Sequence, residues 1–238
     1  MRTPDGITTI LFDLDGTLHY NHPSSEHAFF DFAVRLGAAD SHEKRLSTIR
    51  WSHGYWAQSK ELMADLDRFE GEDEAFWTNY SRRRLEMFTC TASQAESLAP
   101  EVHRCMVVEY KPQDIVPEDR PGTLLALKEA GFMLGVVSNR TEPYHEQLVQ
   151  LGLHQYFKCA IAAGEVSSWK PEPEIFYHAL DRLKAKAEET IYVGDNYYAD
   201  VIGAKRAGIQ PVLLDPEGIF PDAGCPVIRC FGELISLL

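Results

Sequence analysis

The sequence has no apolar run near the roughly 20 residues that cross a bilayer, so no membrane span is expected. It has no C-x-x-C pair. Its five cysteines (Cys90, Cys105, Cys159, Cys225 and Cys230) are odd in number and scattered, which excludes a disulfide scaffold and fits reduced thiols in the cytoplasm. Basic residues are scarce, 23 against 36 acidic ones, for a formal charge of −13. That balance argues against nucleic acid and anionic membrane surfaces as partners. It leaves room for a small anionic substrate, because a local positive pocket or a metal can outvote the mean. Neither G-x-x-x-x-G-K-[ST] nor G-x-G-x-x-G occurs, which removes P-loop and dinucleotide-binding readings. Met1–Gly6 is short and polar, and Ile7–Phe12 is broken by Asp13, so no signal peptide is expected. The N-x-[ST] patterns at Asn79 and Asn139 carry no weight without secretion. What remains is an ordinary globular chain, 45% hydrophobic and 25% charged over 238 residues, long enough for one large domain or two small ones.

Buried strands are expected at Ile7–Phe12, Phe132–Val137, Ala160–Ala163, Thr190–Val193 and Pro211–Leu214, with a weaker sixth at Val227–Ile228. Helical periods lie between most of them. Ile175, Phe176, Ala179, Leu180 and Leu183 share one face behind Pro171 and Pro173, and Asp200–Ala207 ends at Gly208. Strands alternating with helices imply an α/β fold with a parallel sheet covered on both faces. Residues 1–17 and 112–238 read this way. Residues 18–111 carry almost no strand signal and long amphipathic stripes: Phe29, Phe32, Ala33 and Leu36; then Leu46, Ile49, His53 and Trp56; then Phe76 and Tyr80. Ser93 with Glu96 makes a capping box for a fourth helix, kinked at Pro100. The expectation is a helical insertion directly after the first strand.

The decisive segment is Ile10-Leu-Phe-Asp13-Leu-Asp15-Gly16-Thr17-Leu18. Residues two apart on an extended chain point the same way, so Asp13 and Asp15 face one pocket. Carboxylates this close repel, and one is pushed towards protonation unless a cation sits between them. A divalent metal lets Asp13 stay ionised and nucleophilic; a raised pKa lets Asp15 donate a proton. A lone Asp-x-Asp is more often a strand end before a turn. D-x-D-G-T behind an apolar strand is sharper, arising by composition in roughly one chain per thousand of this length.

With this segment the chain resembles the haloacid dehalogenase superfamily, and three further motifs follow in order: Gly135-Val-Val-Ser138-Asn139, Trp169-Lys170-Pro171-Glu-Pro173, and Gly194-Asp195-Asn-Tyr-Tyr-Ala-Asp200. Asp13, Ser138 and Asp195 each follow an apolar strand and Lys170 lies in a loop after another, so a parallel sheet would bring them to one crevice. The resemblance implies a Rossmann-like three-layer α/β/α core with an inserted all-α helical-bundle cap. It implies a phosphatase in which Asp13 is the nucleophile forming an aspartyl-phosphate and Asp15 the general acid and base. Mg2+ would be held by Asp13, the main-chain carbonyl of Asp15, and Asp195. Asp200 would be an outer carboxylate or a partner for Lys170. Thr17, Ser138, the main-chain amide of Asn139, and Lys170 would bind the phosphoryl oxygens, aided by a helix capped by Thr141.

The insertion lies between the first and second motifs, and only about 30 residues separate Asn139 from Lys170. Relatives so built close a helical cap over the site, which favours a small phosphorylated metabolite as substrate. A phosphomutase uses the same motifs and is the first alternative. Carbon–halogen hydrolysis is disfavoured because members with that activity lack the second aspartate, and a non-catalytic binding module because no motif residue is lost. Nothing in the sequence chooses between monomer and homodimer. Arg82-Arg83-Arg84 reads as a solvated helix face, His19 and His22 as a polar hairpin tip or leaving-group contacts, and Trp51, Trp56 and Trp77 as cap core.

Overall fold

The structure is a computed structural model that describes residues 6–238. Residues 1–5, part of the polar segment that argued against a signal peptide, lie outside the described residues. The chain divides into two compact units, one comprising the chain up to Tyr20 together with Val116–Leu238, the other Asn21–Ile115. The described strands are β1 (Thr9–Phe12), β2 (Tyr20–His22), β3 (Gln113–Ile115), β4 (Met133–Ser138), β5 (Cys159–Ala162), β6 (Thr190–Gly194), β7 (Gln210–Leu214) and β8 (Val227–Ile228).

Six of these form one sheet in the order β5-β4-β1-β6-β7-β8, with every pair parallel. From β1 the chain builds outward through β4 and β5, then returns to the other side of β1 for β6, β7 and β8. β1 is therefore the switch point, where loops at the strand ends diverge and open a crevice. Ala163 opens a helix rather than ending β5. The pair β2 and β3 was invisible in the sequence, because two three-residue strands, exposed except at half-buried Ile115, carry no readable period.

The Asn21–Ile115 unit contains α1 (Ser25–Arg35), α2 (His42–Trp56), α3 (Lys60–Arg68), α4 (Asp73–Phe88) and α5 (Ala92–Val108). Ser24, Ser41, Ser59 and Thr91 cap four of them, each hydroxyl accepting from a backbone amide of the first turn. The capping box of α5 is Thr91 with Gln94, two residues ahead of the expected Ser93 and Glu96, and the helix continues through Pro100. α2 is rotated from the expected stripe: it buries Thr48, Ile49, Ser52 and Tyr55. Aromatic packing decides this. The Tyr55 ring stacks on Tyr80 of α4 at 5.1 Å, its hydroxyl donates to buried Asp65 at 2.9 Å, and Trp56 Nε1 donates to the Tyr80 hydroxyl at 2.8 Å. Trp51 and Trp56 pack against this cluster, whereas Trp77 is 43% exposed, not core. The arginine run is not one solvated face either. Arg83 pairs with Asp65 at 2.7 Å, and Arg84 is buried with its guanidinium 3.9 Å from the Phe29 ring centroid.

In the other unit, α6 (Asp119–Glu129), α7 (His145–Gln150), α8 (Ala163–Val166), α9 (Glu174–Leu183), α10 (Ile202–Arg206) and α11 (Leu234–Leu237) flank the sheet. Alternation along β1 sorts its side chains. Ile10 and Phe12 enter a cluster with Leu124, Leu127, Leu148, Phe231 and Leu234; Leu11 enters the opposite one with Phe176, Ala179, Leu180, Tyr192 and Ala204. This is the three-layer α/β/α arrangement expected. Among the described residues, no helix is long and apolar enough to cross a membrane.

Phe176 is fully buried and meets the Tyr192 ring edge-on at 4.9 Å, while the next residue, Tyr177, is 48% exposed. Phe176→Ala is expected to cost about 3–5 kcal/mol in urea unfolding, and Tyr177→Ala less than about 0.5 kcal/mol. Equal effects would mean that this face of the sheet is not the packed core.

Candidate active site

The site is built at the C-terminal ends of three neighbouring strands. The Asp13 amide donates to Val193 O at 2.9 Å, carrying the β1–β6 pairing one residue past Phe12. Phe12 is level with Val136 and with Val193, so Ser138 and Asp195 each lie two residues beyond that level on the flanking chains. Strand spacing of about 4.8 Å then puts all three side chains at one rim.

Lys170 is the centre. It is 2% exposed, and its ammonium donates to Asp13 Oδ1 at 2.6 Å, Asp200 Oδ1 at 2.7 Å and the Tyr192 hydroxyl at 2.9 Å. Burial disfavours the charged lysine, but the Asp13 and Asp200 carboxylates outweigh it and hold the pKa above its ordinary value. The Lys170 backbone is clamped by the Asn139 side chain, which accepts from Lys170 N at 2.6 Å and donates to Lys170 O at 2.9 Å. Asp200 is fixed from behind by the Asn196 amide, which donates to its second oxygen at 2.8 Å.

Asp195 joins from β6. The Thr17 hydroxyl donates to Asp195 Oδ1 at 3.1 Å, so in this structure Thr17 holds a carboxylate, where a phosphoryl contact was expected. Two glycines make the approach possible. A Cβ on Gly16, which has φ +82°, would come within 2.5 Å of Asp195 Oδ2, and one on Gly194 would overlap Asp200.

Oxygens of Asp13, Asp195 and Asp200 lie within 4.8 Å of one another. Burial pushes Asp13 up to about 7, with Asp200 and Asp15 adding to the shift and Lys170 opposing it. Burial, then the charges of Asp13 and Asp200, push Asp195 well above the usual carboxylate range. Three carboxylates meet beside one ammonium, which bonds only Asp13 and Asp200, and the side-chain groups that could ligate are all oxygen. The residues therefore fit a hard divalent cation, held by Asp13 and Asp195 with Asp200 alongside.

Asp15 is different. Its side chain is 48% exposed and is gripped by Arg140, with Nη2 donating to Oδ1 at 2.6 Å and Nε to Oδ2 at 2.8 Å. His19 Nε2 is 3.2 Å from Oδ1, and Ser138 Oγ is 3.5 Å from Oδ2. Burial alone would raise the Asp15 pKa, but the hydrogen bonds from His19 and Arg140 outweigh it and hold the carboxyl below the usual range. The expectation that Asp15 is the carboxyl pushed up is reversed in this geometry, because the cation beside it was not foreseen. Thr141 does not cap a helix: α7 starts at His145, without a side-chain cap.

Arg140, His19 buried against Asp15, Tyr192 and the Asn139 side chain are the contributors that sequence reasoning missed or underweighted. Arg140 adjoins a recognised motif, and that adjacency was the one available signal. His19 is an inward-facing group, not a hairpin tip.

Comparison with known proteins gives the family and the fold. The haloacid dehalogenase-like hydrolase family, described as a hydrolase family, matches residues 7–208. A glyceraldehyde 3-phosphate phosphatase of Methanopyrus kandleri is 32% identical over 218 residues, covering 87% of this chain and 84% of the relative. A ribulose-1,5-bisphosphate 5-phosphatase of Halopiger xanaduensis is 30% identical over 215 residues, covering 88% and 85%. Among solved structures, a 2-haloacid dehalogenase from Pseudomonas syringae superposes with a TM-score of 0.54 at 27% identity over 97% of both chains. An enzyme fold with its four motifs at one sheet edge, matched along most of its length, belongs to the haloacid dehalogenase-like hydrolases.

Proposed function

We infer that this hydrolase is a magnesium-dependent phosphatase acting on a small phosphorylated metabolite through an aspartyl-phosphate on Asp13. The observation that carries the reading is the cluster of buried Asp13 and Asp200 on one lysine with half-buried Asp195 alongside, beside a second aspartate at the strand end. The relatives named as phosphatases of small sugar phosphates support the substrate class.

A phosphate ester repels an anionic attacker, so its charge must be offset before an oxygen approaches phosphorus. Lys170 bonds Asp13 Oδ1 and leaves Oδ2 as the attacking atom. Magnesium, when bound, neutralises the phosphoryl charge and keeps the carboxylates ionised. Ser138 and the Asn139 amide receive phosphoryl oxygens, and the Lys170 ammonium on Asp13 offsets part of the negative charge. Asp15, protonated once Arg140 no longer holds both its oxygens, gives that proton to the departing alcohol and then takes one from the water that hydrolyses the acyl phosphate. A halide leaves without that proton, so Asp15 favours ester hydrolysis over dehalogenation.

Asp13→Asn is expected to lower turnover of an aryl phosphate by at least about a thousandfold, with an unchanged far-ultraviolet circular dichroism spectrum. Retained activity would mean that another residue attacks.

The carboxyl shifts also set a pH dependence. Asp13 and Asp195 bind protons more tightly folded than unfolded, so without metal they lower stability as pH rises from about 4 through about 7. Magnesium needs these groups ionised and offsets the loss. The metal-induced rise in Tm is therefore expected to be larger near pH 8 than near about pH 5.5. Equal rises at both would remove this cluster as the metal site.

A further inference from the structure

Arg140 holds Asp15 in an arrangement that catalysis cannot use. Both oxygens of Asp15 are taken by one guanidinium, and each also faces His19 or Ser138. A departing alcohol needs one of those oxygens within hydrogen-bond reach. Arg140 offers only donors, so it cannot relay a proton in place of Asp15. The fork must therefore open at least halfway when an ester occupies the site.

What the guanidinium does next follows from its chemistry. Its stem leaves from the residue after Asn139, and its remaining nitrogen, Nη1, donates to the Gln147 side chain, so the group stays tethered beside the sheet edge. It is always charged and shaped for a planar or tetrahedral oxyanion. At 35% side-chain exposure it is open to a ligand, unlike Lys170 at 3%. Asp15 belongs at the ester oxygen, so a cation released from Asp15 lies a few atoms along the leaving alcohol. An oxyanion there replaces the lost carboxylate pairing; a neutral alcohol leaves a cation without its counter-charge.

We propose that Arg140 is the specificity-determining residue of this site, reading a carboxylate or phosphate carried by the substrate's alcohol, and that it pairs with Asp15 when that anion is absent. The proposal rests on the phosphatase reading and narrows its substrate class to esters of anionic alcohols. In the resting state Asp15 stands in for the substrate's own anion. Arrival of that anion both binds the alcohol and frees the acid–base group, so anionic alcohols gain twice.

The test uses three esters of a two-carbon alcohol: phosphoglycolate, the bisphosphate of ethylene glycol, and hydroxyethyl phosphate, whose alcohol carries no charge. Phosphate release is measured with magnesium for the native enzyme, Arg140→Ala and Arg140→Lys. The native enzyme is expected to prefer one of the anionic esters in kcat/KM, and whichever is preferred identifies the anion. Arg140→Ala is expected to reduce that ester's kcat/KM about 10- to 100-fold more than that of hydroxyethyl phosphate, the size of a lost charge-assisted pair, with most of the extra loss in KM. Arg140→Lys keeps the charge without the fork and recovers part of the preference. An equal reduction for all three esters would show that Arg140 only orients Asp15, and a native enzyme without preference would overturn the proposal as well. If the native enzyme released phosphate from none of them, nor from an aryl phosphate, the phosphatase reading itself would fall, a result distinct from either of those.

Discussion

The structure depends on keeping Lys170 charged inside the protein. An ammonium out of water costs several kcal/mol unless its donors are met by well-placed acceptors. Here all three meet oxygen, from Asp13, Asp200 and Tyr192. The pairing is lopsided: Asp195 adds a carboxylate that the lysine does not touch, which is why burial raises both Asp13 and Asp195. Removing Lys170 would leave the carboxylates of Asp13 and Asp200 facing each other while buried. Lysine and cation site are therefore two halves of one neutralisation, and neither can be dropped alone.

That constraint reaches back into the backbone. Asp200 is far in sequence from Lys170 yet must place one oxygen on it and the other on the Asn196 amide, which requires the chain to turn tightly after β6. Tyr197–Val201 forms a π-helical turn, wider than an α-helix, and Asn196 caps it by accepting from Tyr198 and Ala199. Gly194 must lack a Cβ because Asp200 occupies that space, and Gly16 must allow both positive φ and the approach of Asp195. Asn139 serves in the same way, fixing Lys170 through two backbone bonds. Motif residues that a sequence reading assigns to substrate are partly there to hold one another.

The legible part of the chain was the part governed by local periods. β1, β4, β6 and β7 were readable because strands buried on both faces are continuous apolar runs, and three of the four motifs stood at the ends of β1, β4 and β6. Arg140 against Asp15 was not readable, since its partner is 125 positions away and nothing local marks the pair. The same holds for the Asn139 clamp. In the helical unit the existence of helices was clear, but the face of α2 was not. Leu46 and Trp56 look more apolar than Thr48 and Ser52, yet the stack of Tyr55 on Tyr80 sets the rotation. Specific aromatic geometry there outweighs the summed hydrophobicity of the stripe.

The charge balance shows why composition constrains partners without constraining the site. A protein with 36 acidic and 23 basic residues repels an extended polyanion over its whole surface. A phosphate ester samples only the nearest groups, because exposed charges beyond about 8 Å are largely screened at physiological salt. Within contact distance of the sheet edge lie Lys170 and Arg140, with His19 beside them. Lys170 is buried, so its interactions escape the screening that weakens surface pairs. The acidic mean is therefore compatible with the proposed site for a small anion, because the mean acts on extended polyanions and the site acts through its nearest groups.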